Sequence, residues 1–303
     1  MKEGQASRTA EYMALFRALE SSLPAERRLF DDPLARTFLG PSLAFVARLA
    51  RLPGLCDPVL RIIDNRWPGA RTSGVARTRF IDDAVVAALA EQTEQLVVLG
   101  AGFDSRAYRL PGLRNVAVFE VDHPDTLSRK RTALTRALGA IPEHVRFVAS
   151  DFNQDDLEQA MAAAGYRESA RTLFLWEGVT NYLSEAAVDA TLRWCSRAAP
   201  GSRLLFTYVE RSVLEDPRSF FGTEKLFATL AAAGEAWTWG IEPCALAEFL
   251  AQRGLSLEQD VGAEEYRRLY WGDRAHTMRG YEFYRIAVAG VGEGADAAGQ
   301  RRA

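Results

Sequence analysis

Short apolar runs alternate with longer amphipathic stretches through the middle of this 303-residue chain. The apolar runs have the length of β-strands, and we predict strands at Gln95–Gly100, Asn115–Asp122, Val145–Ala149, Thr172–Trp176 and Arg203–Val209. Helical periodicity separates several of them, at Pro124–Leu138, Asp155–Ala164 and Glu185–Ala198. Uninterrupted apolar strands are typical of a parallel sheet that helices cover on both faces. The alternation therefore predicts a doubly wound α/β sheet.

The segments on either side of this alternation have different patterns. Residues 1–75 are predicted to be a helical cap, with helical spacing at Thr9–Leu19 and a second helix running from an N-cap at Asp32 to Gly40. Residues 76–210 form the predicted core. Residues 211–289 form a predicted lid insertion followed by the last strands, Leu255–Val261 and Tyr281–Val288. Residues 290–303 are rich in Gly and Ala and are predicted to be disordered.

Composition and charge narrow the class of partner. The net charge is −3 and no long Lys/Arg run is present, which argues against nucleic acid as the partner. No apolar stretch is long enough to span a bilayer, and no signal peptide is recognisable. Cys56, Cys195 and Cys244 are odd in number and far apart, which favours free thiols and a cytoplasmic protein. We therefore expect a small-molecule substrate, no membrane and no metal, with the oligomeric state left open.

A glycine loop follows the first predicted strand. Gly100-Ala101-Gly102 lets the backbone approach a ligand closely at the start of a helix. Asp122 ends the second strand and is placed to accept hydrogen bonds from ribose hydroxyls, with Glu120 as the competing candidate. Ser105 stands where the dinucleotide fingerprint has its third glycine, which favours S-adenosylmethionine over a nicotinamide dinucleotide.

Further polar residues fall at the ends of neighbouring strands. Asp104 belongs to the glycine loop, Asp151 and Phe152 follow the third strand, and Glu177 follows the fourth. Ligands of open α/β sheets bind outside the carboxyl ends of the strands. We therefore expect these residues to converge on one nucleoside site, where Asp151 is suited to the adenine amino group and Phe152 to the ring.

Four segments resemble the leucine carboxyl methyltransferase family, in its bacterial branch of small-molecule O-methyltransferases. They are Arg8-Thr9-Ala10 with Phe30-Asp31-Asp32-Pro33-Leu34-Ala35; Leu99-Gly100-Ala101-Gly102-Phe103-Asp104-Ser105-Arg106-Ala107-Tyr108-Arg109-Leu110; Phe119-Glu120-Val121-Asp122-His123-Pro124; and Trp176-Glu177-Gly178-Val179-Thr180-Asn181-Tyr182-Leu183. The resemblance implies a class I, Rossmann-like sheet of seven strands with a helical lid, and S-adenosylmethionine as methyl donor. It implies that Gly100, Asp122, Asp151, Phe152 and Glu177 contact the cofactor, and that Arg77 binds the cofactor carboxylate.

The methyl acceptor is the open part of this interpretation. We expect a small-molecule carboxylate or a phenol or other hydroxyl, and the scarcity of histidines favours the carboxylate. Tyr182 and Tyr208 are candidates to orient the acceptor, Arg17 to hold an acidic one, and His276 to act as base. Aromatic residues of the lid are candidates for an apolar pocket: Phe220, Phe221, Trp237 and Trp239. The alternatives are a protein carboxyl methyltransferase, an NAD-dependent dehydrogenase, and a catalytically silent cofactor-binding protein.

Overall fold

A single mixed sheet of seven strands organises the computed structural model, which describes residues 8–152 and 154–292. In chain order the strands are β1 Gln95–Leu99, β2 Ala117–Asp122, β3 Val145–Ala149, β4 Thr172–Trp176, β5 Arg203–Val209, β6 Leu255–Val261 and β7 Tyr284–Val291. Their order across the sheet is β3-β2-β1-β4-β5-β7-β6, and β7 runs antiparallel to β5 and β6, between which it lies. The predicted fold class is confirmed. Because β1 lies between β2 and β4, the chain changes direction across the sheet there, which is where such folds bind ligands.

Helices cover both faces of the sheet. Four precede it: α1 Arg8–Glu20, α2 Pro41–Leu49, α3 Cys56–Arg66 and α4 Ala70–Ala90. Four connect the parallel strands: α5 Arg106–Arg109, α6 Pro124–Leu138, α7 Leu157–Ala163 and α8 Glu185–Cys195. Four follow β5: α9 Arg211–Glu215, α10 Thr223–Ala233, α11 Pro243–Ala251 and α12 Ala263–Trp271. No helix in the described part of the chain is both long and apolar enough to cross a membrane.

Side-chain alternation along the strands builds a core on each face. On β1, Leu96 and Val98 pack with residues of α1 and α4, whereas Val97 and Leu99 pack with residues of α7, α8 and α11. All four side chains are buried. The apolar run of β1 is therefore explained by the cover on both of its faces.

The N-terminal cap differs from its prediction in two places. The predicted helix from Asp32 to Gly40 is a short 3-10 helix, Ala35–Phe38, although the carboxylate of Asp32 does cap it by accepting from two backbone N–H groups. Leu39 is extended, and the Gly40 N–H bonds the Glu11 carboxylate instead of continuing a helix. The predicted boundary at residue 75 falls inside α4, whose residues are buried along most of its length.

The C-terminal strand is displaced from its predicted range of 281–288. It runs from Tyr284 to Val291, because Gly290 pairs with Arg203 on one side and Val291 with Leu255 on the other. The tail predicted to start at residue 290 therefore begins within the sheet. Residues 293–303 lie outside the described residues, as do residues 1–7.

Candidate functional site

A cavity of about 750 Å³ opens at the carboxyl ends of β1 to β4. It lies between this sheet edge, α1, α4 and the segment that follows α10. Eleven of the thirteen predicted site residues line it: Arg17, Arg77, Gly100, Ala101, Gly102, Asp104, Asp122, Asp151, Phe152, Glu177 and Tyr182. Its size is that of a small-molecule site, which is typically about 300–1,000 Å³.

The glycine loop needs its first glycine for two separate reasons. Gly100 has a φ of +70°, a left-handed conformation that disfavours side chains. A Cβ built there would lie 2.2 Å from Cγ2 of Val179. The N–H groups of Gly100 and Ala101 both donate to the carbonyl of Val121, at 2.8 and 2.9 Å, which holds the turn against β2. At Gly100 the backbone therefore approaches Val179 too closely to carry a side chain.

Of the two acids on β2 that the sequence leaves open, Asp122 faces the cavity. Its carboxylate accepts from the N–H groups of Gly102 and His123, at 2.6 and 2.7 Å, and burial nevertheless raises its pKa. Glu120 is fully buried and forms an ion pair with Lys130 at 2.8 Å. Its charge is compensated inside the fold, so Asp122 is the acid available to a ligand.

Arg106 ties three carboxylates of the site together. Its guanidinium is buried and pairs with Asp82 at 2.8 Å, with Glu177 at 3.1 Å and with Asp104. Burial pushes the pKa of Asp104 upward, but the charge of Arg106 lowers it to about 2. This network fixes the glycine loop to the end of β4 and to α4. Arg106 and Asp82 were not among the predicted site residues.

Arg77 and Glu177 present a cation and an anion side by side. Nε of Arg77 lies 3.7 Å from Oε1 of Glu177, and within the described residues neither atom has a hydrogen-bond partner. The Arg77 guanidinium stacks over the ring of Tyr284, 4.1 Å from its centroid, and is only 5% exposed. Buried polar groups usually have partners. A zwitterionic amino acid supplies both missing ones, a carboxylate for Arg77 and an ammonium group for Glu177.

The end of β3 offers polar groups at the far side of the cavity. The hydroxyl of Ser150 is buried, and no hydrogen-bond partner for it is found within the described residues. Asp151 accepts from the side-chain amide of Gln154 at 3.0 Å, and Phe152 lines the cavity beside it. A hydroxyl, a carboxylate and an aromatic ring at a strand end fit the edge and face of a purine base.

The sequence model of leucine carboxyl methyltransferase matches residues 10–196. The chain belongs to this family. A Frankia alni protein assigned as an S-adenosyl-L-methionine-dependent methyltransferase is 36% identical over 210 residues, covering 68% of this chain and 70% of its own. A relative from Parafrankia with the same assignment is 32% identical over 276 residues, covering 86% and 81%.

Two solved structures share the fold. A duf574 family protein from Streptomyces avermitilis superposes with a TM-score of 0.56 at 15% identity, covering 91% of this chain and 96% of its own. A Thermobifida fusca protein assigned as a methyltransferase has a TM-score of 0.55 at 15% identity, covering 96% and 97%. The chain is therefore an S-adenosylmethionine-dependent methyltransferase of class I fold. The family decides against the dehydrogenase alternative.

The guanidinium of Arg17 has its own partners within the methyltransferase. It lines the cavity, but its Nε pairs with Asp32 at 2.9 Å and its Nη2 donates to the carbonyl of Phe103 at 2.6 Å. Ser105 donates to the same Asp32 oxygen at 2.6 Å. Burial pushes the pKa of Asp32 upward, yet Arg17 and Arg109 hold it below its usual value. The charge of Arg17 is thus paired within the fold, and the residue joins the cap to the glycine loop, while its predicted contact with an acidic substrate stays a prediction.

Tyr208 and His276, predicted as acceptor-contacting residues, are not among the residues that line the cavity. The Tyr208 hydroxyl donates to Asp260 at 2.9 Å and accepts from Arg285 at 3.1 Å, on the β6 side of β5. His276 is exposed in a short 3-10 helix, where its Nδ1 lies 2.7 Å from the carbonyl of Asp273. Tyr182 is the one predicted acceptor-orienting residue that both lines the cavity and keeps a polar atom there.

Aromatic rings from separate segments form one part of the cavity lining. We call this set the aromatic wall: Tyr12, Trp67, Tyr182, Trp237 and Tyr281. The rings of Tyr12 and Trp67 lie 4.9 Å apart and those of Tyr182 and Trp237 6.4 Å apart. Of the predicted lid aromatics, Trp237 lines the cavity, whereas Phe220, Phe221 and Trp239 do not.

Glu235 is a cavity residue that the sequence analysis missed. It follows α10 beside the aromatic wall, and its carboxylate accepts from the hydroxyl of Thr9. Tyr182 in turn donates to the Thr9 hydroxyl at 3.4 Å. Glu235 occurs in a short segment without strong periodicity, so nothing in the local pattern distinguishes it from a surface acid.

Proposed function

We propose that this methyltransferase transfers a methyl group to a hydroxyl of a small aromatic molecule. The observation that carries the proposal is the aromatic wall, which places rings and the carboxylate of Glu235, rather than a cation, next to the space left for the acceptor. Apolar walls with a few convergent polar groups are typical of small-molecule sites. Aromatic rings recognise flat aromatic ligands by offset or edge-to-face packing.

The distribution of arginines argues against a carboxylate acceptor. Within the described part of the chain, four arginines line the cavity. Arg17, Arg106 and Arg109 each form an ion pair with an aspartate at 2.9 Å or less. Arg77 remains, and a carboxylate acceptor would compete for it with the carboxylate of the cofactor.

The proposal assigns the polar groups of the sheet edge to the cofactor, which supplies an activated methyl group on its sulfonium. Arg77 would hold the cofactor carboxylate as a bidentate partner, and Glu177 its ammonium group. Asp122 would accept from the ribose hydroxyls. Ser150 and Asp151 would bind the edge of the adenine, with Phe152 against its face. These residues bind and orient, and positioning of this kind contributes much of the rate in displacement reactions.

The experiment is methyl transfer from labelled S-adenosylmethionine to two matched panels, one of simple phenols and one of aromatic carboxylates. Mass spectrometry identifies the products, and treatment with base separates methyl esters, which hydrolyse, from ethers, which do not. We expect ethers from the phenol panel. Products confined to base-labile esters would contradict the proposal and favour a carboxylate acceptor. A methylated protein terminus would favour the protein carboxyl methyltransferase.

A further inference from the structure

We infer that Glu235 is the catalytic residue that takes the proton from the acceptor hydroxyl, an inference that rests on the proposed function. Transfer to a hydroxyl requires removal of a proton, and a positioned side chain usually removes it. The sequence analysis offered His276 for this role, but that side chain is exposed and does not line the cavity. The base must therefore be sought among the polar side chains that lie beside the aromatic wall.

The other carboxylates that line the cavity within the described residues are committed to the sheet edge. Asp104 and Glu177 pair with Arg106, and Asp122 accepts from two backbone N–H groups of the glycine loop and α6. Asp155 accepts from the backbone N–H of Asp151 at 2.8 Å, and the Asp151 carboxylate accepts from the side-chain amide of Gln154 at 3.0 Å. Glu235 is the one carboxylate that lies among the aromatic rings, where the space for the acceptor is.

The histidine that lines the cavity is in the wrong place for this role. His123 is the N-cap of α6, directly after Asp122, and its Nδ1 accepts from the N–H of Asp125 at 3.3 Å. It belongs to the end of the site assigned to the ribose. A proton acceptor must lie within hydrogen-bond reach of the hydroxyl that it serves, which here means the aromatic wall.

Two hydroxyls orient the Glu235 carboxylate. Thr9 of α1 donates to Oε2 of Glu235, and Tyr182 donates to Thr9 at 3.4 Å, so both O–H groups point along one chain toward the carboxylate. Burial raises the pKa of Tyr182, and the charge of Glu235 raises it further, so Tyr182 stays protonated and acts as a donor. A carboxylate has about four acceptor sites. The hydrogen bond from Thr9 uses one of these sites on Glu235.

The proposed step balances without any further reactant. The acceptor O–H bond breaks and its proton moves to a carboxylate oxygen of Glu235. The acceptor oxygen forms the new bond to the methyl carbon, while the carbon–sulfur bond breaks and leaves its electron pair on sulfur. The products are a methyl ether, a neutral thioether and protonated Glu235, which returns its proton to water when the product leaves.

The test compares Glu235→Gln with the wild type on two acceptors, phenol and 4-nitrophenol, the latter at a pH at which it is already ionised. A missing base costs about 100-fold or more when the acceptor still carries its proton. We expect a loss of that size on phenol and a loss of less than about 5-fold on ionised 4-nitrophenol, because the ionised acceptor needs no base. Glu224→Gln is the matched control, since Glu224 is exposed in the first turn of α10 and does not line the cavity.

Calorimetric binding of S-adenosylhomocysteine shows whether each variant keeps its cofactor site, and Thr9→Val supplies a milder perturbation. Thr9→Val leaves the carboxylate but removes its donor, so we expect a smaller loss, again confined to phenol. Equal losses on both phenols, or no loss, would overturn the role of Glu235 while leaving the proposed function intact. If the wild type methylates neither phenol, the proposed function fails and the inference fails with it.

Discussion

Replacing Gly100 with alanine tests the geometry of the cofactor loop most directly. The left-handed φ of +70° costs an alanine roughly 1–2 kcal/mol. The new Cβ would also lie 2.2 Å from Cγ2 of Val179, well inside ordinary contact. Overpacking of this kind costs about 1–3 kcal/mol. We expect Gly100→Ala to lower the free energy of unfolding by about 3 kcal/mol, measured by urea denaturation.

The steric and backbone parts of that loss can be separated by a second substitution. Val179→Ala removes Cγ2 and leaves the Cβ of residue 179 at 3.3 Å from the new methyl of residue 100. We expect the double variant to be about 1–2 kcal/mol more stable than the sum of the single effects, since contacting residues couple by this amount. Calorimetry should show weakened binding of S-adenosylhomocysteine to Gly100→Ala and a partial recovery of that affinity in the double variant.

The matched control is Gly139→Ala at the end of α6. Gly139 has a φ of +85°, and a Cβ built there has no atom within 4 Å, so this substitution carries the backbone cost alone. We expect it to cost roughly 1–2 kcal/mol and to leave cofactor affinity unchanged. Strict additivity of Gly100→Ala and Val179→Ala would refute the steric reasoning, and equal losses at Gly100 and Gly139 would refute it independently.

Three further predictions follow from the ion pairs and hydrogen bonds of the site. Ser105→Ala removes the 2.6 Å hydrogen bond to buried Asp32 and should cost about 1–3 kcal/mol by urea denaturation; an unchanged midpoint would show that this bond contributes nothing. The pKa of Asp104 is lowered to about 2, so its ionised form stabilises the fold fully above the pKa of the unfolded chain and progressively less as the pH falls. Between pH 6 and 3 the free energy of unfolding of the wild type should fall by about 1 kcal/mol more than that of Asp104→Asn. Parallel pH profiles of the two proteins would contradict this. Arg77→Lys keeps the charge but loses the planar fork stacked on Tyr284, so calorimetry should show S-adenosylhomocysteine binding about 10-fold more weakly, and an unchanged affinity would remove Arg77 from the cofactor site.

Hydrophobic patterning was sufficient to predict the parallel part of the sheet. The bounds of β3, β4 and β5 agree with the predicted runs, and β4 and β5 are buried almost throughout, as expected for strands covered on both faces. The convergence of polar residues at one sheet edge was predictable for a related reason. Residues at the carboxyl ends of adjacent parallel strands converge whatever the connecting helices do, which brought Asp122, Asp151 and Glu177 to one cavity.

Tyr208 shows why a strand end alone does not predict a site residue. It follows Thr207 one residue before the end of β5, and successive side chains point to opposite faces of a sheet. Thr207 turns toward the site and accepts from the N–H of Gly178 at 2.8 Å, whereas Tyr208 turns toward Asp260. The sequence does not say which of the two neighbours faces the ligand, since both have polar hydroxyls.

Glu235 was out of reach of the sequence for a different reason. Its partner Thr9 is 226 positions away, and both lie outside the repeating βα units whose geometry is known in advance. The same holds for Arg17, whose isolated place on α1 resembles a solvated helix face until Asp32 and Phe103 are brought against it. Contacts between the cap, the lid and the sheet depend on how the irregular segments pack, which local periodicity does not encode.

The two halves of the cavity are held by different kinds of interaction, and this has a consequence for specificity. Buried ion pairs centred on Arg106 and Asp32 hold the cofactor half, and breaking one leaves an uncompensated charge at a cost of several kcal/mol. The aromatic wall is held by ring contacts and single hydrogen bonds, each worth about 1 kcal/mol. Substitutions at Trp237 or Trp67 should therefore change which acceptors are methylated while cofactor affinity stays the same. The fold can accept new substrates on one side because its charges fix the other.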